Sequence, residues 1–419
     1  MTIVIAGAGI GGLATALSLH EAGQRDVRVY ERVAELRPVG VGINLLPHAV
    51  RELTELGLGD RLAELAVAPG TLAYYNRHGQ RIWSEPRGLE AGYRWPQVSV
   101  YRGRLQSMLL EAVRDRLGPE AVRTGHRLVA VEHGVDADVA CFDTEEGAVR
   151  VRADVVVGAD GIHSVLRRQH SPQEGPPCWN GLTLWRGTAR VPVYLDGRTM
   201  IMAGDGEQKF VAYPVGPPDA SGHARVNFIA ERRQDGTDGG NADWNRAVDP
   251  TPVVALFRDW RFEWLDVPAV IAAAEEILEY PMVDRDPLDR WTYGRSTLLG
   301  DAAHAMYPNG SNGASQAILD ARTLALHLAT APDVAQALAR YETDRRPVTT
   351  ALVHSNRRQG PERVMVLAHE RAPHGFGDIG EVFPPGELAE IAASYKRAAG
   401  FDPEALNSRP SLTPPGSGR

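Results

Sequence analysis

Near the start of the chain, Gly7-Ala-Gly-Ile-Gly-Gly12 places four glycines where an apolar run, residues 2–6, gives way to residues 13–19, whose apolar positions repeat with helical spacing. Small residues let a main chain approach a pyrophosphate closely, and the helix that follows offers free N–H groups and the positive end of its dipole. A second apolar run, residues 27–30, ends in Glu31, 19 residues beyond Gly12. A carboxylate at that distance can accept hydrogen bonds from a ribose. Strand, glycine turn, helix, strand and acid form one βαβ unit and predict a bound dinucleotide.

Two more acids stand at the ends of apolar runs. Residues 155–157 read as a buried strand that ends in Gly158-Ala-Asp160-Gly161, and residues 296–299 as another that ends in Gly300-Asp301. An acid such as Asp301 could accept a hydrogen bond from a polyol chain. The loop Pro308-Asn-Gly-Ser-Asn-Gly313 precedes a helix expected over residues 314–329. Its N-terminus would favour negative charge, which a reduced isoalloxazine develops at its pyrimidine edge. A glycine-rich loop that only caps a helix is the plainer alternative. A simple nicotinamide dehydrogenase needs neither of these later segments.

The elements that must position these groups fall into two textures. Helices are expected from Pro47 to Gly57 and over residues 105–117, a hairpin around residues 127–133 and 139–142, and parallel strands at the four runs above. From about 175 to 283 the chain alternates apolar and polar residues and carries aromatics, as an antiparallel sheet does. A loop is expected at 235–241, helices at 252–260 and 267–276, and a disordered tail from 401. The fold class is therefore α/β: a discontinuous Rossmann-like domain (1–70, 100–175 and 284–330), an inserted antiparallel-sheet domain (71–99 and 176–283), C-terminal helices over 331–400, and a tail over 401–419.

Together these residues resemble the FAD-dependent aromatic hydroxylases, the single-component flavoprotein monooxygenases with the p-hydroxybenzoate hydroxylase fold, over about residues 2–358. The resemblance implies FAD held by Gly7, Gly9, Gly11, Gly12 and Glu31 with Arg32 beside it, and by Ile43, Arg102, Leu128, Asp160, Asp301, Ser311, Asn312, Gly313 and Ala314. Pro308 would line the oxygen and substrate side of the flavin. NADH or NADPH would reduce the flavin, and O2 would add at its C4a carbon. The distal oxygen of that hydroperoxide would then pass to an electron-rich aromatic carbon, decarboxylatively where that carbon bears a carboxylate. Residues 40–44, 83–88, 185–187, 280–288 and 306–316 resemble the members of the family that hydroxylate phenazine carboxylates, which implies a phenazine-like substrate and a place in secondary metabolism.

Substrate contacts are expected from the inserted sheet: Trp185, Arg186, Met202, Tyr213 and Phe228. Arg186 could clamp a carboxylate or be an ordinary salt-bridged strand residue. His304 fits packing or hydrogen bonding better than general-base catalysis. A flavin-dependent halogenase or oxidase, or a non-catalytic flavoprotein that binds an aromatic ligand, would use the same scaffold. Halogenation is disfavoured because no lysine precedes residue 209 and Trp260-Arg-Phe-Glu-Trp264 lacks the halogenase spacing.

Composition excludes other classes. The 419 residues carry a net charge of −8, and of 45 basic residues only Lys209 and Lys396 are lysines, with no basic run to track phosphates. Cys141 and Cys178 are too few for a disulfide framework. Scattered histidines give no metal-site spacing. No leader or membrane-length apolar stretch is seen, so a cytoplasmic monomer or homodimer acting on a small aromatic molecule is expected, with no nucleic acid or membrane partner.

Overall fold

The computed structural model describes residues 1–38, 40–234 and 246–415. Its first sheet has six strands, in the order Thr292–Tyr293, Ser296–Leu298, Val155–Gly158, Thr2–Ala6, Asp26–Tyr30 and Val122–Arg123. All neighbours run parallel except the first pair. Ile3, Val155 and Leu298 are fully buried because the sheet is packed against helices, among them Ile10–Glu21 and Gly313–Thr330, and against the three-stranded sheet of Arg127–Glu132, Asp138–Thr144 and Gly147–Ala153. In such a sheet ligands bind beyond the carboxyl ends of the strands. Ala6, Gly158 and Leu298 are three adjacent carboxyl ends, so the glycine turn, Asp160 and Asp301 emerge side by side.

The second sheet has eight strands: Arg246–Val248, Ala274–Asp284, Cys178–Pro192, His223–Arg233, Gln208–Pro214, Thr199–Gly204, Thr71–Tyr75 and Arg81–Pro86. It is antiparallel save at one junction, where Thr199–Gly204 runs parallel to Thr71–Tyr75 and the two chain segments that build the sheet meet. Its two faces carry different cores. Trp185, Phe210, Phe228, Phe257 and Trp260 fill one, against the helices Pro250–Leu256 and Val267–Ala272. Leu184, Met202, Tyr213, Met282 and Tyr307 fill the other, together with Met365 of the helix Arg363–Arg371.

The structure departs from the sequence expectations in several places. The helix expected to reach Glu276 ends at Ala272, and Ala274 already begins the long strand that pairs with Cys178–Pro192. The hairpin gains a third strand, Gly147–Ala153. The loop expected at 235–241 lies outside the described residues. The tail is not disordered through 415: Pro403–Ser408 is a helix, and Phe401 and Leu406 are 2% and 1% exposed. Apolar anchors at Phe401 and Leu406, with Arg409 paired to buried Glu52, outweigh the prolines that suggested disorder.

Candidate active site

Gly7 has φ of +106°, and a side chain there would meet Ala159 O at 2.4 Å, so the first strand can turn past the Asp160 strand only with glycine. Gly12 is tighter still, since a side chain would lie 2.0 Å from Gly7 O. Gly9 differs: a side chain there would meet nothing within 4 Å. It opens the helix Ile10–Glu21, which has no side-chain cap and no acid in its first turn. The free N–H groups and positive dipole end therefore face an open cradle, as a pyrophosphate requires.

Glu31 fastens this turn. Its Oε2 accepts Ala8 N–H at 2.8 Å and its Oε1 accepts Val33 N–H at 3.1 Å. A carboxylate has about four acceptor positions, so two remain for ribose hydroxyls. Gln106, which sequence reasoning missed, donates to Ala8 O at 2.8 Å from the helix Arg102–Leu117. Arg102 opens that helix, is exposed, and lies across Gly40. Arg32 is exposed next to Glu31, and Ile43 is half-buried in the short strand Gly42–Leu45. Leu128 is buried on the strand Arg127–Glu132, which follows the His126 N–H bond to Glu31 O.

Asp160 Oδ2 accepts Val165 N–H at 2.7 Å, and burial raises its pKa. Asp301 is exposed at the start of the short helix Asp301–His304, and a side chain at Gly313 would meet its Oδ1 at 4.0 Å. Asp320, also missed in the sequence, holds both ends of that helix: its Oδ2 accepts Gly300 N–H at 3.1 Å and lies 2.6 Å from His304 Nε2. Burial alone would raise the Asp320 pKa, but His304 and Arg345 hold it down to about 2. His304 is thus a buried structural partner of Asp320, 3% exposed.

Pro308 is exposed, and the loop after it turns through two left-handed residues, Gly310 at φ +72° and Ser311 at φ +57°. Asn312 then opens the helix Gly313–Thr330, which has no side-chain cap hydrogen bond and no acid in its first turn. The free N–H groups from Gly313 and Ala314 onward fit the electron-rich edge of a flavin. Tyr395, on the helix Glu387–Ala398, takes a hydrogen bond from Asn312 Nδ2 at 2.9 Å and donates to Asn309 O at 3.1 Å. No sequence signal marked it.

The expected substrate residues divide between the sheet's faces. Trp185 and Phe228 are corrected: both belong to the core on the face away from Tyr307, and Trp185 Nε1 donates to Glu279 Oε2 at 2.8 Å. Alternation along a strand makes two faces but does not say which one meets the cofactor. Met202 and Tyr213 lie on the Tyr307 face. Tyr213 OH donates to Gly42 O at 2.7 Å, and Arg186 Nη2 donates to the same oxygen at 3.0 Å. Burial pushes the Tyr213 hydroxyl up to about 12. Arg186 Nε is buried with no hydrogen-bond partner among the described residues. Among those residues there is no metal-ligating cluster and no helix long and apolar enough to cross a membrane.

The family described as FAD binding domain matches residues 1–356. The phenazine 1,6-dicarboxylic acid hydroxylase of Lysobacter antibioticus is 46% identical over 385 residues, covering 87% of this chain and 94% of that protein. The 3-amino-4-hydroxybenzoate 2-monooxygenase of Streptomyces cremeus is 35% identical over 365 residues, 85% and 86% of the two chains. Among solved structures, an HpxO variant of Klebsiella pneumoniae complexed with FAD is 25% identical at a TM-score of 0.70, covering 95% of this chain and 94% of that one. A salicylate hydroxylase substrate complex shares the fold at a TM-score of 0.74 and 20% identity, over 98% and 99% of the two chains. With its glycine cradle and three convergent strand ends, the chain belongs to the FAD binding domain family, among the FAD-dependent aromatic hydroxylases that use NAD(P)H and O2.

Proposed function

We propose that the substrate is a heteroaromatic carboxylic acid of the phenazine class, hydroxylated on the Tyr307 face of the eight-stranded sheet. The observation that carries this reading is the 46% identity with a phenazine dicarboxylate hydroxylase over 94% of that protein's length. Arg186 supports it, because a buried guanidinium N–H without a partner is costly and a substrate carboxylate would satisfy it.

When bound, FAD reduced by NAD(P)H activates O2 and supplies an oxygen to an electron-rich ring carbon. Gly9 and the first turn of its helix bind the pyrophosphate, Glu31 the adenosine ribose, and Asp301 the ribityl chain. The N-terminus of Gly313–Thr330 stabilises negative charge on the reduced ring. Pro308 bounds the substrate side, and Met202, Met282 and Tyr307 keep water from it. Where the attacked carbon bears a carboxylate, carbon dioxide leaves. Halogenation is not favoured, since Lys209 is buried in ion pairs with Glu231 and Glu362. The same reading includes a cytoplasmic monomer or homodimer, which fractionation and light scattering test.

The deciding experiment supplies FAD-loaded protein with NADH or NADPH and a panel of aromatic acids that includes phenazine-1-carboxylate. Faster NAD(P)H oxidation, oxygen uptake and a hydroxylated product by mass are expected. Arg186→Ala should raise KM for the acid at least tenfold. Binding of these acids without any product would instead mean a non-catalytic flavoprotein.

A further inference from the structure

The face of the sheet that meets the flavin loop carries opposite polarity at its two ends. Register fixes this: Arg186 stands opposite Ile229, Leu184 opposite Glu231, and Lys209 opposite Glu231 on the other side, all on one face. Arg186 and Glu231 are diagonal neighbours across this strand pair, about 7–8 Å apart. Leu184, Val211 and Ile229 form an apolar patch between them, 5%, 3% and 9% exposed. A guanidinium at one end, an apolar strip and a carboxylate cluster at the other suit a flat molecule with two different edges.

The carboxylate end opens into a cavity of about 220 Å³, whose wall includes Lys209, Glu231, Glu362, Met282 and Asn309. Lys209 Nζ lies 2.9 Å from Glu231 Oε2 and also contacts Glu362 Oε2. Glu362 Oε2 accepts Asn309 Nδ2–H at 2.9 Å, which ties the cluster to the residue after Pro308. One buried lysine faces two buried carboxylates, so acceptor capacity is in excess. The other cations of the wall are engaged elsewhere: Arg357 with Asp284 and Asp286, and Arg233 with Glu207. Burial raises the Glu231 carboxyl against the pull of Lys209, and the Glu362 carboxylate beside it raises it further.

We propose that this cavity is a specificity subsite that takes a hydrogen-bond-donating or cationic edge of the substrate, and that Glu231 and Glu362 exclude a second carboxylate from it. The donating group is a ring hydroxyl, an amino group or a protonated ring nitrogen. It would sit at the end of the substrate remote from the carboxylate held by Arg186, so this inference rests on the aromatic-acid reading. A dicarboxylate would bring a further carboxylate against Glu231 and Glu362 with a single lysine to balance them, which weakens its binding.

The test measures binding to the FAD-loaded enzyme by the change in flavin absorbance, with 4-aminobenzoate, 4-hydroxybenzoate and terephthalate, and with phenazine-1-carboxylate against phenazine-1,6-dicarboxylate. The wild-type protein should prefer each para-donor acid to terephthalate, and the phenazine monocarboxylate to the dicarboxylate, by at least tenfold. Glu231→Gln, which keeps an acceptor for Lys209 and removes one charge, should cut that preference at least fivefold with FAD content unchanged. Equal affinity of the wild-type protein for mono- and dicarboxylates, or a preference that Glu231→Gln leaves intact, overturns the subsite alone. Failure of every acid to bind overturns the aromatic-acid reading as well. Should Glu231→Gln not fold, the wild-type comparison and Glu362→Gln decide the matter.

Discussion

Tyr395 OH lies 2.9 Å from Asn312 Nδ2, so the helix Glu387–Ala398 holds the residue that opens the helix Gly313–Thr330. The same hydroxyl reaches Asn309 O and, at 3.2 Å, Asn356 Oδ1. A side chain at Gly310 would collide with it at 2.2 Å. The loop's left-handed turn is thus shaped around one phenol, which burial keeps protonated.

Tyr395→Phe should leave buried Asn312 and Asn356 groups short of a partner and cost about 1–3 kcal/mol. Because the loss falls on the loop, NAD(P)H oxidation should uncouple from product formation, with more hydrogen peroxide per turnover. Urea unfolding and a peroxide assay check both parts. An unchanged coupling ratio would mean that the loop holds its shape without Tyr395.

The glycine turn separates binding from folding. Gly9→Ala faces open space, so stability should move by no more than about 0.5 kcal/mol while FAD affinity falls at least tenfold. Gly12→Ala meets the Gly7 carbonyl and should fail to fold around the turn at all. Flavin retention after gel filtration, set beside thermal melts, distinguishes the two.

Much of this was legible in the sequence because the first strand, its turn and its acid are contiguous, and the Asp160 and Asp301 strands announce themselves as short apolar runs. What could not be read are contacts set by packing. Gln106 and Asp320 look like ordinary helix residues until the fold brings them to Ala8 and Gly300. Trp185 and Phe228 alternate just as site residues would, and only the two cores show which face each occupies. The tail's prolines hid two apolar anchors, Phe401 and Leu406, whose burial depends on surfaces far away in sequence.

Asp301 and Asp320 should separate in the same way as the glycines. Asp301→Ala removes an exposed carboxylate and should release most of the FAD with stability nearly unchanged. Asp320→Ala strands Arg345 and the Gly300 N–H in the interior and should destabilise the protein by roughly 3–5 kcal/mol. A fully flavinated, active Asp301→Ala protein would remove the ribityl contact from the assignment.

His48 makes the tail pH-sensitive. It is fully buried, stacks on Phe401 with ring centres 5.2 Å apart, and burial drives its pKa down to about 3. The unfolded chain, with an ordinary histidine pKa of about 6.5, takes up a proton that the folded chain refuses. A depressed folded pKa gives stability that is complete above about pH 6.5 and lost as pH falls toward 3, at up to about 1.4 kcal/mol per unit for this one group. Asp320, held down to about 2, adds its own loss only below the ordinary carboxylate range. His48→Phe keeps a ring against Phe401 and cannot protonate. Urea midpoints measured between pH 7.5 and 5 should therefore fall less steeply for His48→Phe than for the wild-type protein, and parallel slopes would show that His48 does not stay neutral in the fold.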